Sequence, residues 1–232
     1  MKNPEVTETS HKCEFCNKTF ARERTLLSHA CQIKNRWLDK DKQGNRIGYQ
    51  TFLQFYKKHT AAKKVKPYED FIRSPYYTAF VKFGTYCAET NCVNVSHYVE
   101  WLLKENVKLD NWVKDSTYNK FLVQFLRMED PMDALKRSIQ TLMDLAEQDE
   151  IQYNDVLRYG NTNKICHNIT SGKISPWILF QSDSGVRFLD TLTEDHVKLI
   201  IEYIDPEQWA LKFHRSPDNV REVKSILKEC GL

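Results

Sequence analysis

Apolar positions along this chain recur mostly at intervals of three and four, the period of a helix buried on one face. After Gly44 and Gly48, the residues Tyr49, Phe52, Leu53 and Tyr56 fall at i, i+3, i+4 and i+7 and predict a helix. A short basic stretch follows, Ala61 to Lys66, with a boundary at Pro67. Beyond it the chain reads as a series of short helices with visible start signals. Asp130-Pro131, Asp205-Pro206 and Ser216-Pro217 each place a capping side chain before a proline at the first helical position, where no N–H is needed. The first of these opens a longer helix through Leu135, Ile139, Leu142 and Leu145. Ser74-Pro75 repeats the device ahead of Tyr76, Ala79, Phe80 and Phe83. Ser96, Ser116 and Thr193 are the expected starts of helices carrying Val99 and Leu102, then Phe121 and Leu122, then Val197 and Ile200. Strand-like alternation is scarce outside residues 11–36. The expected fold class is therefore mostly α. A disordered polar tail occupies 1–10, a small module 11–36, a basic connecting helix and linker 37–66, and an all-α helical domain 67–232.

Composition narrows the picture. The 232 residues are 41% hydrophobic, enough for one core or two small ones. Seven glycines and seven prolines are few for this length, which disfavours a turn-rich all-β fold. No apolar run approaches the ~18–20 residues that cross a bilayer. Met1 to Lys12 hold no apolar signal stretch, so no membrane partner is expected and the location is expected to be cytoplasmic. Charge is unevenly placed: residues 1–70 carry a net +7 and the remainder −4, giving the +3 of the whole chain. A basic first third suggests a polyanion-binding arm, with a merely solvated basic surface as the plain alternative.

The cysteines carry the sharpest chemistry. There are seven, an odd number at uneven spacing with no secretory signal, which points to reduced thiols rather than a disulfide framework. Residues 13–31 read CEFCNKTFARERTLLSHAC. Cys13 and Cys16 have the C-x2-C spacing of a zinc-binding turn. Phe20, Leu26 and His29 follow at C-x3-F-x5-L-x2-H. At those five positions the segment resembles the Cys/Cys/His/His ββα zinc finger. That resemblance implies Zn2+ as cofactor, Cys13 and Cys16 on a hairpin turn, Phe20 and Leu26 as a miniature core, and His29 on the helix. So small a module folds only with the metal's binding free energy, of order 10 kcal/mol. The fourth ligand departs from the family, because its usual window holds Ile33, Lys34 and Asn35. Cys31 is the nearest candidate and makes a Cys/Cys/His/Cys variant, with His59 as a remote substitute. Residues two apart on a regular helix point about 200° apart, so the helix would have to tighten or end near Ala30. Through Trp37 the stretch is also similar to small-finger proteins of tailed bacteriophages, which would place the protein in a host cytoplasm.

The same resemblance implies a nucleic-acid partner, DNA by preference. Family members read bases from helix positions −1, 3 and 6, with the first His at 7. Counting back from His29 sets Arg22 at −1, Arg24 at 2, Thr25 at 3 and Ser28 at 6. Lys18, Lys34, Arg36 and Lys40 flank them. Lys57, Lys58, Lys63, Lys64 and Lys66 would add salt-sensitive phosphate affinity, which one finger needs because it covers only about 3 bp. A second segment reads as a helix over Glu150 to Tyr159, a turn at Gly160, and a helix from Thr162 to Thr170 ended by Gly172. Its NKICHNITSGKISPWIL stretch has a passing similarity to the recognition helix of phage-repressor helix-turn-helix domains, with Lys164, Asn168 and Lys173 as polar contacts. An ordinary helical hairpin explains the same residues.

No P-loop, G-x-G-x-x-G, H-E-x-x-H or G-x-S-x-G motif occurs, and His97, His167, His196 and His214 are isolated. Trp112, Trp177 and Trp209 fall at apolar helical positions and read as core. The expected function is zinc-dependent nucleic-acid binding, regulatory or accessory, without catalysis of its own. The alternatives are a protein-interaction adaptor with a purely structural zinc finger, whose partner would bind through the helical body, and a nucleic-acid-processing enzyme.

Overall fold

The computed structural model describes residues 10–59 and 66–232. The expected tail, Ser10 apart, and Lys63 and Lys64 lie outside these residues, as does the side chain of His59. A two-residue-per-strand hairpin, β1 (His11–Lys12) and β2 (Thr19–Phe20), pairs His11 with Phe20 and Lys12 with Thr19. Helices follow to the end of the described chain, so the mostly-α expectation holds.

The described residues of Met1–Asn91 and Leu102–Val113 form one compact unit, and those of Cys92–Trp101 and Lys114–Leu232 a second. The first contains the hairpin, α1 (Glu23–Leu27), α2 (Gln32–Leu38), α3 (Gln43–His59), α4 (Tyr68–Arg73) and α5 (Tyr77–Glu89). Its core is aromatic: Phe52, Phe71, Phe80 and Phe83 are buried, and Trp112 stands edge-on to Phe83 at 5.3 Å. Helices α3 and α5 cross with their backbones touching. A Cβ on Gly84 would lie 2.0 Å from the Gly44 carbonyl oxygen, and one on Gly48 would lie 2.7 Å from that of Phe80. Only glycine permits so close an approach, which is why Gly44 and Gly48 sit inside a helix they would otherwise weaken.

The start of α5 differs from the Ser74-Pro75 expectation. Tyr77 is the first helical residue, because Tyr76 donates to the Ser74 Oγ at 3.1 Å and Tyr77 to its carbonyl at 3.2 Å, closing a turn first.

In the second unit, α6 (Val95–Lys104) supplies its first residues up to Trp101. Asn94, not Ser96, caps it, its Oδ1 accepting from the His97 N–H at 3.0 Å. Then come α7 (Asp115–Met128), α8 (Pro131–Asp149), α9 (Val156–Tyr159), α10 (Thr162–Thr170), α11 (Pro176–Gln181) and α12 (Asp183–Asp190). The chain closes with α13 (Glu194–Ile204), α14 (Pro206–Arg215) and α15 (Pro217–Glu229). The Asp130, Asp205 and Thr193 caps form as expected. Ser116 lies within α7, which begins one residue earlier. The helix expected over Glu150 to Tyr159 is broken: α8 stops at Glu150, in the left-handed region at φ 54°, and a 3-10 turn at Tyr153–Asp155 leads into the short α9.

Trp177 and Trp209 are fully buried in this unit's core. The same unit holds an ion pair between a buried carboxylate and a half-buried arginine. The Arg137 guanidinium donates to both Glu129 carboxylate oxygens, at 2.6 and 2.8 Å, and through Nε to the Gly172 carbonyl at 2.8 Å. Burial pushes the Glu129 carboxyl above its ordinary range, with Arg137 opposing that rise. Lys164 is ion-paired with Asp149, Ile165 and Ile169 are buried, and α10 packs against α13.

Candidate metal centre

Four side chains converge at the N-terminal module. The ligand atoms of Cys13, Cys16, His29 and Cys31 all lie within 4.8 Å of one another. Cys13 and Cys16 come from the turn between the two strands. The Asn17 N–H donates to the Cys13 carbonyl at 2.9 Å, and the Cys13 N–H to the Lys18 carbonyl at 2.8 Å. Asn17 closes the turn at φ 61°, a conformation that asparagine tolerates better than most residues.

His29 and Cys31 arrive by a different route from the one the finger resemblance implies. Helix α1 is only five residues long and ends at Leu27, so His29 is not on it. The His29 N–H instead reaches the Leu26 carbonyl at 3.1 Å, one residue nearer than in an α-helix, and the chain then extends. Cys31 is the N-cap of α2 in extended backbone, φ −85° and ψ 106°. The two side chains are thereby released from the 200° opposition that a continuous helix would impose. This is the tightening and termination near Ala30 that the C-terminal pair demands.

The donor set is compatible with a bound metal ion, and zinc sets the scale for comparison. Two thiolates bound to one zinc at about 2.3 Å stand about 3.8 Å apart at the tetrahedral angle. Cys13 Sγ and Cys31 Sγ are 3.7 Å apart, and Cys16 Sγ is 3.2 Å from His29 Nε2. Cys13 and Cys31 are buried, and the Phe20 ring packs 4.9 Å from the His29 ring. Phe20 and Leu26 are each only half-buried, so the miniature core is thin and leans on the ligands themselves.

The loop primes Cys13 for a metal. The backbone N–H of Cys16, aided by that of Phe15 and by neighbouring thiols, lowers the Cys13 thiol to about 7 against the cost of burial. Cys16 moves the other way. The Lys18 N–H lowers it, but burial and the Cys13 and Cys31 thiols outweigh that and raise it. One of the two therefore ionises readily while its neighbour resists a second negative charge.

Two arginines tie the module to the helices that follow. Arg73 on α4 donates through Nη2 to the Phe15 carbonyl at 2.6 Å, tying the cysteine turn to the helices. Arg36 on α2 donates to the Ile72 carbonyl at 2.6 Å, with its guanidinium 4.3 Å from the Tyr77 ring centroid. Arg36 is therefore engaged in packing rather than presented as a phosphate contact. Fifty-eight residues separate Arg73 from Phe15, and nothing local to the motif signals that partnership.

The candidate nucleic-acid contacts are placed as follows. Arg22 is the N-cap of α1, and Arg22, Arg24 and Thr25 are exposed. Ser28 is exposed, but its hydroxyl turns back to the Thr25 carbonyl at 3.3 Å. Lys34 is exposed at the first turn of α2, and Lys57 and Lys58 are exposed near the end of α3. Lys40 lies 5.2 Å from the Trp37 ring centroid, and Lys66 lies 5.0 Å from that of Tyr56 and 3.9 Å from Asp70.

Comparisons with protein-family models, curated proteins and solved structures return no match to this chain. No described helix is long and apolar enough to cross a membrane.

Proposed function

We propose that this protein is a zinc-dependent nucleic-acid-binding protein, regulatory or accessory in role and without catalysis of its own. The observation that carries the reading is the convergence of three thiols and an imidazole, 18 residues apart at the extremes, within 4.8 Å. Cys13, Cys16, His29 and Cys31 hold the zinc, whose part is structural. All four coordination positions are filled by protein, which leaves none open for a substrate. The nucleic-acid half draws on the exposed Arg22, Arg24, Thr25, Lys34, Lys57 and Lys58 and on the +7 excess of residues 1–70. DNA is the proposed target because Arg22 stands at the helix N-terminus, where an arginine pairs with guanine in a major groove.

A second reading makes the module a structural part of a protein-interaction adaptor. It draws on Leu27 and Leu38, which are 78% and 65% exposed on the helices that flank the metal ligands. Titration of the zinc-loaded full chain against labelled duplex DNA at two salt concentrations separates the two. The first reading expects affinity that falls as salt rises and that disappears on metal removal. Arg22→Ala should cost about 1–3 kcal/mol on a preferred sequence and relax selectivity there. Negligible binding to duplex and single strands at low salt would leave the adaptor.

A further inference from the structure

We infer that the solvent-facing stripe of α3 is a phosphate-tracking surface that extends the finger's grip along duplex DNA, an inference that rests on the nucleic-acid reading above. Helix α3 has 17 residues, Arg46, Lys57 and Lys58 among them, and contains no aspartate or glutamate. Its buried side is fixed by the glycine-mediated crossing with α5 and by Asn45, Thr51 and Phe52. At 100° per residue, Arg46, Gln50, Gln54 and Lys57 fall within an arc of about 80° on the opposite side, with Lys58 about 40° beyond its edge. Arg46, Gln50, Lys57 and Lys58 are exposed there.

The charge on this stripe is uncompensated along the helix. Among the described residues the ion pairs near it, Lys42–Asp39 at 2.8 Å and Lys66–Asp70 at 3.9 Å, use neither Arg46 nor Lys57 nor Lys58. Arg46 and Lys57 lie about 16 Å apart along the axis at 1.5 Å per residue. That spans about five base pairs at 3.4 Å each. A single finger covers about 3 bp, so its grip needs further phosphates to hold. The glutamine between the cations offers hydrogen bonds to the same phosphate and sugar atoms. Close packing of α3 against α5 makes the stripe a rigid platform, continuous in sequence with α2 and the metal ligand that caps it.

The test uses the zinc-loaded full chain and a fluorescein-labelled 20-bp duplex, read by anisotropy over a series of salt concentrations. A single strand of the same length and an RNA duplex run alongside. The triple variant Arg46→Ala, Lys57→Ala, Lys58→Ala should lose at least tenfold in affinity at low salt. Its log–log salt slope should become shallower by about 0.9 for each phosphate that is no longer neutralised. The charge-conserving Arg46→Lys, Lys57→Arg, Lys58→Arg variant should retain binding, and helix content and zinc content should match wild type in both. An unchanged slope in the triple variant, with binding abolished in Arg22→Ala, Arg24→Ala, would overturn the stripe and leave the proposed function standing. An effect confined to single strands or to RNA would overturn the assignment to duplex DNA. No binding by the wild-type chain would overturn both.

Discussion

Cys13 and Cys31 bring their Sγ atoms to 3.7 Å across 18 residues of sequence, and Cys31 Sγ also accepts the N–H of Lys34 at 3.4 Å as the N-cap of α2. One side chain thus closes the candidate metal-binding cluster and starts the helix that leads into the aromatic unit. Arg36 and Trp37 on that helix pack against Tyr77 and Tyr68. Metal loss should therefore be felt beyond the module.

Cys31→Ser separates these two roles. Serine is a good N-cap, so the helix start survives while the thiolate ligand is removed. Zinc affinity should fall more than tenfold, as far as in Cys13→Ser. Hydrogen exchange of metal-free protein should show reduced protection in α2 as well as in the hairpin. Retention of full zinc affinity in Cys31→Ser would remove Cys31 from the ligand set.

Zinc binding should release protons in a pH-dependent way. A thiol must lose its proton to bind, so affinity rises with pH. Cys13, lowered to about 7, contributes one released proton per zinc below that pH and almost none well above it. Cys16, raised, still contributes above it. The slope of log affinity against pH should therefore fall by at least about one on passing upward through pH 7. Competition titrations with a chromophoric chelator at several pH values measure this, and a constant slope from about pH 6 to 8 would contradict it.

Gly84→Ala should destabilise the first unit. The new Cβ would lie 2.0 Å from the Gly44 carbonyl oxygen and 2.6 Å from the Gly48 nitrogen, both backbone atoms of α3 that no rotamer change can move. Overpacking of this kind costs about 1–3 kcal/mol or more. Thermal denaturation should show the loss. A variant as stable as wild type would mean the helices can part without cost.

Arg137→Met should be more damaging than Glu129→Gln. Removing the arginine strands a buried carboxylate, and breaking such a pair from one side costs about 3–5 kcal/mol. Glutamine at 129 can still accept from the guanidinium and from Ser175, whose hydroxyl is 3.4 Å from Glu129 Oε1. Denaturant unfolding of both variants and of the double variant measures the order, and equal losses would contradict it.

Much of the fold and the convergence of the candidate metal ligands is legible in the sequence, for definite reasons. Asp130-Pro131, Asp205-Pro206 and Thr193 fix their helix starts because the cap acts within one turn. The C-x2-C turn with His29 and Cys31 is legible because the metal chemistry is written in spacing. Other features depend on residues that meet only in the fold. Asn94 takes the capping role from Ser96 because its Oδ1 reaches the His97 N–H. His29 stands beyond the end of α1, with its Nε2 3.2 Å from Cys16 Sγ. Arg73 meets Phe15 across 58 residues. The left-handed Glu150, which ends α8 at the first position of the helix expected over Glu150 to Tyr159, is not a glycine that would announce the stop.

Metal analysis of tag-free protein, combined with zinc X-ray absorption, tests the centre most directly. The expected result is about one zinc per chain with three sulfurs at about 2.3 Å and one nitrogen at about 2.0 Å. The sulfur count should drop to two in Cys31→Ser. Protein purified without chelator that holds no zinc, or zinc bound chiefly by oxygen, would contradict it.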